Sequence, residues 1–323
     1  MNKGILLAIL STIIVAGCVG GELPFPWIQA PTAYLGANGL VITEFSIDNT
    51  EVYSNKSAKI TMTVANKGGA SVPDGSALAV LQGSAIMEDL VTPGNLYWTG
   101  RSTTDSIYLE MDKDMNPYDP VRDVPADEKI LNWYLTSPIG IDIGTSRNDV
   151  FIGRLYYDYS TTATGNVWVY SETEASAAQA AGRGLNQNSF SSTSGPIALY
   201  VTVKPTNVIV STGDNEFTMQ IKVSNVGGGT AYCQGCVDYT TPDLEILADS
   251  ELNIVDVAVT DVPGWTGEDA CSDSAVELVK GEAVLTCDVT VSVPDTFRSD
   301  QVKVTADYGY WVERTASITV SGK

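Results

Sequence analysis

Four of the five cysteines, Cys233, Cys236, Cys271 and Cys287, sit close together in the C-terminal half of the chain. Four thiols allow three pairings. The preferred one joins Cys233 to Cys236 and Cys271 to Cys287, the second bond closing a loop of about 15 residues worth roughly 3 kcal/mol of chain entropy. A redox-active Cys-x-x-Cys usually needs a βαβ context, which is absent, and a four-cysteine zinc site wants a second closely spaced pair. A different chemistry is suggested by Asp112, Asp114, Asn116 and Asp119, whose oxygens alternate like the start of a calcium loop. Pro117 stands where such a loop has Gly, and Asp123 where it has Glu, so a solvated acidic loop is the stronger reading. Calcium is the one cofactor this pattern suggests.

The wider composition narrows the chemistry further. The 323 residues include 39 acids, 18 Lys and Arg, and no His, for a formal charge of −21. Nucleic-acid binding is built on cations that neutralise phosphates, so that class is excluded. Without His the chain lacks the commonest general base and metal ligand, and cannot build a Ser-His-Asp or Cys-His pair. No other residues single out a reaction, and no enzyme is predicted. Between Val223 and Val279 the chain carries eleven acids, Asp238 to Glu277, and no Lys or Arg, which suits a solvated face. Asn55-Lys56-Ser57 is a glycosylation-type sequon at a predicted turn.

The N-terminus reads as an address. Met1-Asn2-Lys3 precedes an uncharged, mostly apolar run from Gly4 to Ala16, too short to span a bilayer comfortably and of the length of a signal h-region. It ends in Val15-Ala16-Gly17-Cys18, which resembles the lipobox of secreted lipoproteins. The resemblance implies cleavage before Cys18 and lipid on its sulfur. Lys3-Gly4 before apolar residues also resembles a prepilin cleavage site, but Gly20, Gly21 and Pro24 would break a retained helix early. Residues 18–38, rich in Pro and Gly, read as a semi-extended tether reaching at most about 65–70 Å.

These features must be carried by β-structure. Ala58, Ile60, Met62 and Val64 alternate with Lys59, Thr61 and Thr63, which is the period of a half-buried strand. An offset of 159 places them on Phe217, Met219, Ile221 and Val223, and places Asn66, Gly68 and Gly69 on Asn225, Gly227 and Gly228. Asn-x-Gly-Gly is expected to end each strand because both residue types accept positive φ. Trp98-Thr99-Gly100 matches Trp265-Thr266-Gly267, and LYYDYST (155–161) echoes TADYGYW (305–311). Tyr156, Tyr157, Tyr159, Trp168, Tyr308, Tyr310 and Trp311 could stack sugars, but their alternation in both copies fits core and cross-strand packing better. Further strands are predicted, among them Val150–Tyr159, Asn166–Tyr170, Asp300–Tyr310 and Thr315–Val320. The strand and its Asn-x-Gly-Gly ending, with the preceding EFSID and NTEVYSNKSAKITMTVANKGG stretches, resemble CARDB-like and related immunoglobulin-like modules. That resemblance implies seven-stranded sandwiches used as spacers or adhesive units, and brings no catalytic residues.

The expected protein is therefore all-β: two tandem immunoglobulin-like β-sandwich domains after an N-terminal signal or anchor segment. Residues 1–17 form the signal peptide, 18–38 the lipidated tether, 39–170 the first sandwich and 196–323 the second, disulfide-stapled one. Between them, 171–195 reads as a linker, with a short Ala-rich helix over 172–181 or a plain loop. The expected role is that of a non-catalytic structural or adhesion lipoprotein at the cell surface, outside the cytoplasm, partnered by the membrane through its lipid and by a surface protein or polysaccharide. The alternatives are a pilin-like filament subunit and a carbohydrate- or calcium-dependent binding module.

Overall fold

Period-2 alternation becomes strands where it was expected. The computed structural model describes residues 38–83, 86, 97–100, 107–239 and 247–323, all within one compact unit. The first repeat comprises β1 (Leu40–Ile47), β2 (Glu51–Tyr53), β3 (Ser57–Asn66), β4 (Ala77–Gly83), β5 (Thr99–Gly100), β6 (Tyr108–Glu110), β7 (Glu128–Thr136) and β8 (Ser146–Ser171). Helix α1 (Glu172–Ala180) and β9 (Ser189–Ser192) follow. The second repeat comprises β10 (Ile197–Lys204), β11 (Val208–Val210), β12 (Glu216–Asn225), β13 (Thr230–Tyr232), β14 (Ile254–Val259), β15 (Trp265–Thr266), β16 (Asp273–Glu277), β17 (Glu282–Val291) and β18 (Phe297–Ser321).

Each repeat builds the same four-stranded antiparallel sheet. The orders are β1-β3-β7-β5 and β10-β12-β17-β15, with the apolar faces of β3 and β12 fully buried. Each sheet packs on a third, ten-stranded sheet whose spine is β16-β14-β18-β8-β4-β6. Along β8 the odd-numbered residues from Asp149 to Ser171 are buried, and along β18 the even-numbered ones from Val302 to Tyr310. Because Tyr157 lies opposite Tyr310 and Tyr159 opposite Tyr308, these residues share one face, and both four-stranded sheets cover it.

The long strands are where the structure departs from expectation. Val150–Tyr159 and Asn166–Tyr170 are one strand, as are Asp300–Tyr310 and Thr315–Val320. The residues left between them, Thr-rich at 160–165 and Trp311-Val312-Glu313-Arg314 at 311–314, carry no alternation strong enough to be read as strand alone, yet they continue the pleat once a partner is present. β8 and β18 pair antiparallel without interruption from Phe297 opposite Tyr170 to Ser321 opposite Ser146. At about 3.3 Å per residue this ladder has a contour of roughly 80 Å.

The arrangement has approximate two-fold symmetry. β4 flanks β8 as β14 flanks β18, and β6 lies outside β4 as β16 lies outside β14. β2 runs parallel to the end of β18, while β11 runs parallel to the end of β8. Each repeat thus completes the long strand of the other, and the two share a sheet instead of meeting through a linker. The segment expected as that linker is structured: Ser171 caps α1 by accepting from the Glu174 amide (3.3 Å), and Gly182 (φ +64°) ends the helix. Beyond it, β9 pairs with β8.

Candidate functional site

The dyad falls on the directly opposed pair Asp158 and Gly309, and buried tyrosines and hydrogen-bonded polar groups gather around it. On the covered face, Tyr157, Tyr159, Tyr308 and Tyr310 are all buried and contact one another, with centroids about 6 Å apart (5.8 Å for Tyr157–Tyr310, 6.2 Å for Tyr159–Tyr308). The Tyr159 hydroxyl accepts from the Ala70 amide (2.9 Å) and donates to the Ser194 carbonyl (3.3 Å). In the other copy the Tyr310 hydroxyl accepts from the Gly229 amide and donates to Asn225 Oδ1 (both 2.9 Å). Tyr308 accepts from the Ile197 amide (3.2 Å) and shares a hydrogen bond with Thr161 Oγ1 (2.8 Å). Burial pushes all four phenols above the ordinary tyrosine range, so they are neutral core groups; three of them are hydrogen-bonded, and the buried Tyr157 hydroxyl has no hydrogen-bond partner among the described residues. Tyr157 and Tyr159 therefore correspond to Tyr308 and Tyr310, one residue away from the match suggested by the two sequence strings. Such a shift would turn every side chain to the opposite face.

The Asn-x-Gly-Gly turns dock onto these tyrosines. Asn66 Oδ1 accepts from the Gly68 amide (3.0 Å) and its Nδ2 donates to the Ala70 and Met115 carbonyls (both 2.8 Å). Asn225 closes the second turn in the same way, through the Gly227 amide (3.2 Å) and the Gly229 carbonyl (3.1 Å). The reason for glycine differs from the expected one, because none of these glycines has positive φ. A Cβ at Gly68 would lie 1.9 Å from the Tyr159 hydroxyl, and one at Gly227 would lie 2.4 Å from the Tyr310 hydroxyl. At the first glycine of each pair, close approach to the tyrosine is what excludes a side chain; a Cβ at Gly69 would meet Ser194 instead, and one at Gly228 would meet nothing within 4 Å.

A second duplicated constellation went unread in the sequence. Trp98 Nε1 donates to Asp149 Oδ2 (2.8 Å), which Arg147 also engages through NH2 (2.9 Å), while Arg147 Nε lies 2.8 Å from Oδ1. Trp265 Nε1 donates to Asp300 Oδ2 (2.7 Å), which lies 2.9 Å from Arg298 Nε. The Trp-Thr-Gly match was visible. The Arg-x-Asp that completes it, at 147–149 and 298–300, could have been found by searching for a counter-ion at matching places in the two copies.

On the opposite face of the dyad the symmetry is broken. Two copies of one segment cannot occupy one axis, and here the second repeat supplies an insertion between β12 and β14 that has no counterpart in the first. Tyr232 lies flat on Gly309, where a Cβ would be 2.0 Å from the ring. Its hydroxyl hydrogen-bonds Tyr239 (2.8 Å), which donates to Asp158 Oδ1 (2.7 Å). Burial raises the Asp158 carboxyl above its usual range, partly offset by the Tyr239 hydroxyl. Beside it, Arg154 stacks 4.3 Å above the Trp311 ring and bonds Glu313 (2.8 Å). Trp168 packs near Phe297 (6.0 Å). The aromatic runs are core and cross-strand groups, as their alternation suggested.

Both preferred disulfides form, Cys233–Cys236 and Cys271–Cys287. Cys271 and Cys287 are buried inside the second repeat. Cys287 faces Met219 across β12 and β17 as Trp133 faces Ile60 across β3 and β7. Trp133 is fully buried, and its Nε1 donates to the Ile107 carbonyl (3.2 Å) just before β6, as Cys271 lies just before β16. One repeat thus uses a buried indole, and the other a disulfide, to tie the same two segments.

The residues with calcium-like spacing lie in an exposed acidic loop, the reading preferred from the sequence. Asp112 pairs with Lys129, which holds its carboxyl below the usual range. Asp114 accepts from the Asp74 amide (2.9 Å), and Asn116 engages Ser71 and Asp127 (both 3.0 Å). Asp119 caps the amides of Val121 (2.9 Å) and Arg122 (3.2 Å). The four side chains point to separate partners, and among the described residues Asp112, Asp114 and Asp119 belong to no set of three or more convergent ligands. Asn55 is exposed at the β2–β3 turn with φ +61°. Cys18 lies outside the described residues, as do Asp243 and Glu245 of the second acidic tract.

No protein-family model and no curated protein matches the chain. Among solved structures, one described as manganese lipoxygenase of Gaeumannomyces graminis with partial zonadhesin of Komagataella pastoris is 11% identical, covers 86% of this chain and 92% of its own, and has a TM-score of 0.19. Another, of the Enterococcus faecalis MSCRAMM ACE, is 6% identical, covers 87% of this chain and 95% of its own, and has a TM-score of 0.15. At those scores neither likeness bears on fold or function, and what is established is an all-β architecture of packed antiparallel sheets with two disulfides.

Proposed function

We propose that this chain is a non-catalytic structural or adhesion lipoprotein of the cell surface, held to the membrane through lipid on Cys18 and presenting its two immunoglobulin-like repeats as one body. The observation that carries the reading is the disulfide sealed between Cys271 and Cys287, which suits maturation in an oxidising compartment. The Gly17-Cys18 lipobox resemblance supports the anchor, and the absence of His from the chain supports a non-catalytic role. The shared β8–β18 ladder supports presentation as a single rigid element, because separating the repeats would open the whole ladder. A surface protein or polysaccharide is the partner class in keeping with such a body.

The test is mass mapping of native protein extracted from membranes. A mature N-terminus at Cys18 bearing a lipid adduct is expected, with both disulfides intact. An N-terminus at Ile5 would support the filament reading instead. Native protein in the soluble intracellular fraction with four free thiols would overturn the proposal.

A further inference from the structure

The two disulfides differ in their surroundings, and one of them borders a third ligand. Cys271 and Cys287 are buried, whereas Cys236 is exposed and Cys233 half-buried. The Sγ atoms of Cys233 and Cys236 and a carboxylate oxygen of Glu251 all lie within 4.8 Å of one another, and no other set of three such groups among the described residues does. The backbone holds this arrangement independently of the S–S bond. The Cys236 amide donates to the Cys233 carbonyl (3.3 Å) across a turn in which Gly235 takes φ +71°. The Cys233 amide donates to the Glu251 carbonyl (3.0 Å), and Tyr232 bridges Leu252. The Glu251 carboxylate is oriented by the Ala248 amide (2.6 Å). Tyr232, seated on Gly309, ties the adjacent Cys233–Cys236 turn to the central sheet.

We infer that Cys233, Cys236 and Glu251 form a redox-gated site for one divalent cation of the zinc class, closed while the two cysteines are a disulfide and opened when a dithiol reduces them. Two thiolates and one carboxylate are ligands that zinc accepts, with water in the fourth position. Tetrahedral thiolates at about 2.3 Å from the metal are about 3.8 Å apart. Side-chain rotation at a Cα separation of 5.6 Å reaches that without moving the backbone. In the opening step a thiolate of the dithiol attacks the exposed Cys236 Sγ and expels Cys233 as a thiolate. The second thiol of the reductant then displaces Cys236 from the mixed disulfide. Two electrons pass to the cysteine pair, the dithiol leaves as its own disulfide, and the thiol protons go to solvent as the metal binds. Burial protects Cys271–Cys287 from the same attack.

The experiment uses the full chain. Oxidised protein is treated with dithiothreitol, freed of it anaerobically, and titrated with cobalt(II) as the spectroscopic probe, then with zinc. Peptide mapping after alkylation should show Cys233 and Cys236 modified and Cys271–Cys287 still joined. One cobalt per chain should bind the reduced protein only, with a thiolate-to-metal charge-transfer band that zinc displaces. Glu251→Gln should weaken binding by roughly tenfold or more while leaving reduction and circular dichroism unchanged. Cys236→Ser should diminish the band. The inference is overturned if reduced protein takes up no cobalt, if the oxidised protein gives the same band, if Glu251→Gln binds as tightly as the parent, or if Cys271–Cys287 opens first. None of these readouts depends on the anchor at Cys18.

Discussion

Alanine at Gly227 places a Cβ 2.4 Å from the Tyr310 hydroxyl and 2.8 Å from Pro196 Cβ. The hydroxyl is held by the Gly229 amide and Asn225 Oδ1, so it cannot move aside without losing two hydrogen bonds. Overpacking of this kind costs roughly 2–3 kcal/mol. Tyr310→Phe removes the oxygen and the two bonds at about 1–2 kcal/mol. In the double variant the nearest ring atom is Cζ at 3.1 Å from the new Cβ, leaving Pro196 as the principal clash. The combined loss should therefore fall short of the sum by about 1–2 kcal/mol, a coupling large enough to resolve in a double-mutant cycle. Urea-denaturation midpoints of the four proteins measure it. The same cycle at Gly68 and Tyr159 should show less relief, because the Asn38 carbonyl lies 2.6 Å from that Cβ even without the hydroxyl. Additive losses in both repeats, within about 0.5 kcal/mol, would refute ring contact as the reason for these glycines.

Replacing Cys271 and Cys287 together by Ala should lower stability by roughly 3 kcal/mol by chain entropy, readable by calorimetry, and an unchanged melting temperature would contradict a role for that tie. Trp98→Phe and Trp265→Phe each remove a donor to a carboxylate (Asp149 or Asp300) and should each cost about 2 kcal/mol, additively; a loss at only one of them would deny their equivalence. The carboxyl of Asp158 is raised by burial, so its contribution to stability is whole below the unfolded value of about 3.9 and is lost as pH rises through the higher folded value. Asp158→Asn should remove that loss, making the change in urea midpoint between pH 4 and pH 7 more favourable than in the parent, and identical pH profiles would exclude it. Asp127, lowered chiefly by the Asn116 amide, has the opposite sign: Asp127→Asn should blunt the fall in stability on acidification below pH 4.

Much of the scaffold was legible because its signals are local. Alternation from Ala58 to Val64 and from Phe217 to Val223 reports which side of a strand is buried, and a strand needs no knowledge of its partner to show it. Spacing sufficed to favour Cys271–Cys287. At Asp112 to Asp119 the departures from calcium spacing at Pro117 and Asp123 already favoured a solvated loop, and there the oxygens take separate partners: Lys129, backbone amides and the Ser71 hydroxyl. The Trp–Asp–Arg sets escaped because their members come from strands far apart in the chain, and nothing in Arg147-x-Asp149 alone marks it as different from a solvated pair.

The sequence alone determined the composition of faces, the duplication and the oxidised cysteines, since periodicity, similarity and thiol count are properties of short windows. Tertiary structure decided that β8 and β18 run unbroken beside each other, that Tyr157 answers Tyr308, and that one insertion occupies the axis at Asp158 and Gly309. Those outcomes follow from strand pairing between distant segments, where register is set by the packing of both faces at once. The Thr-rich stretch at 160–165 is strand because its partner in β18 is in place.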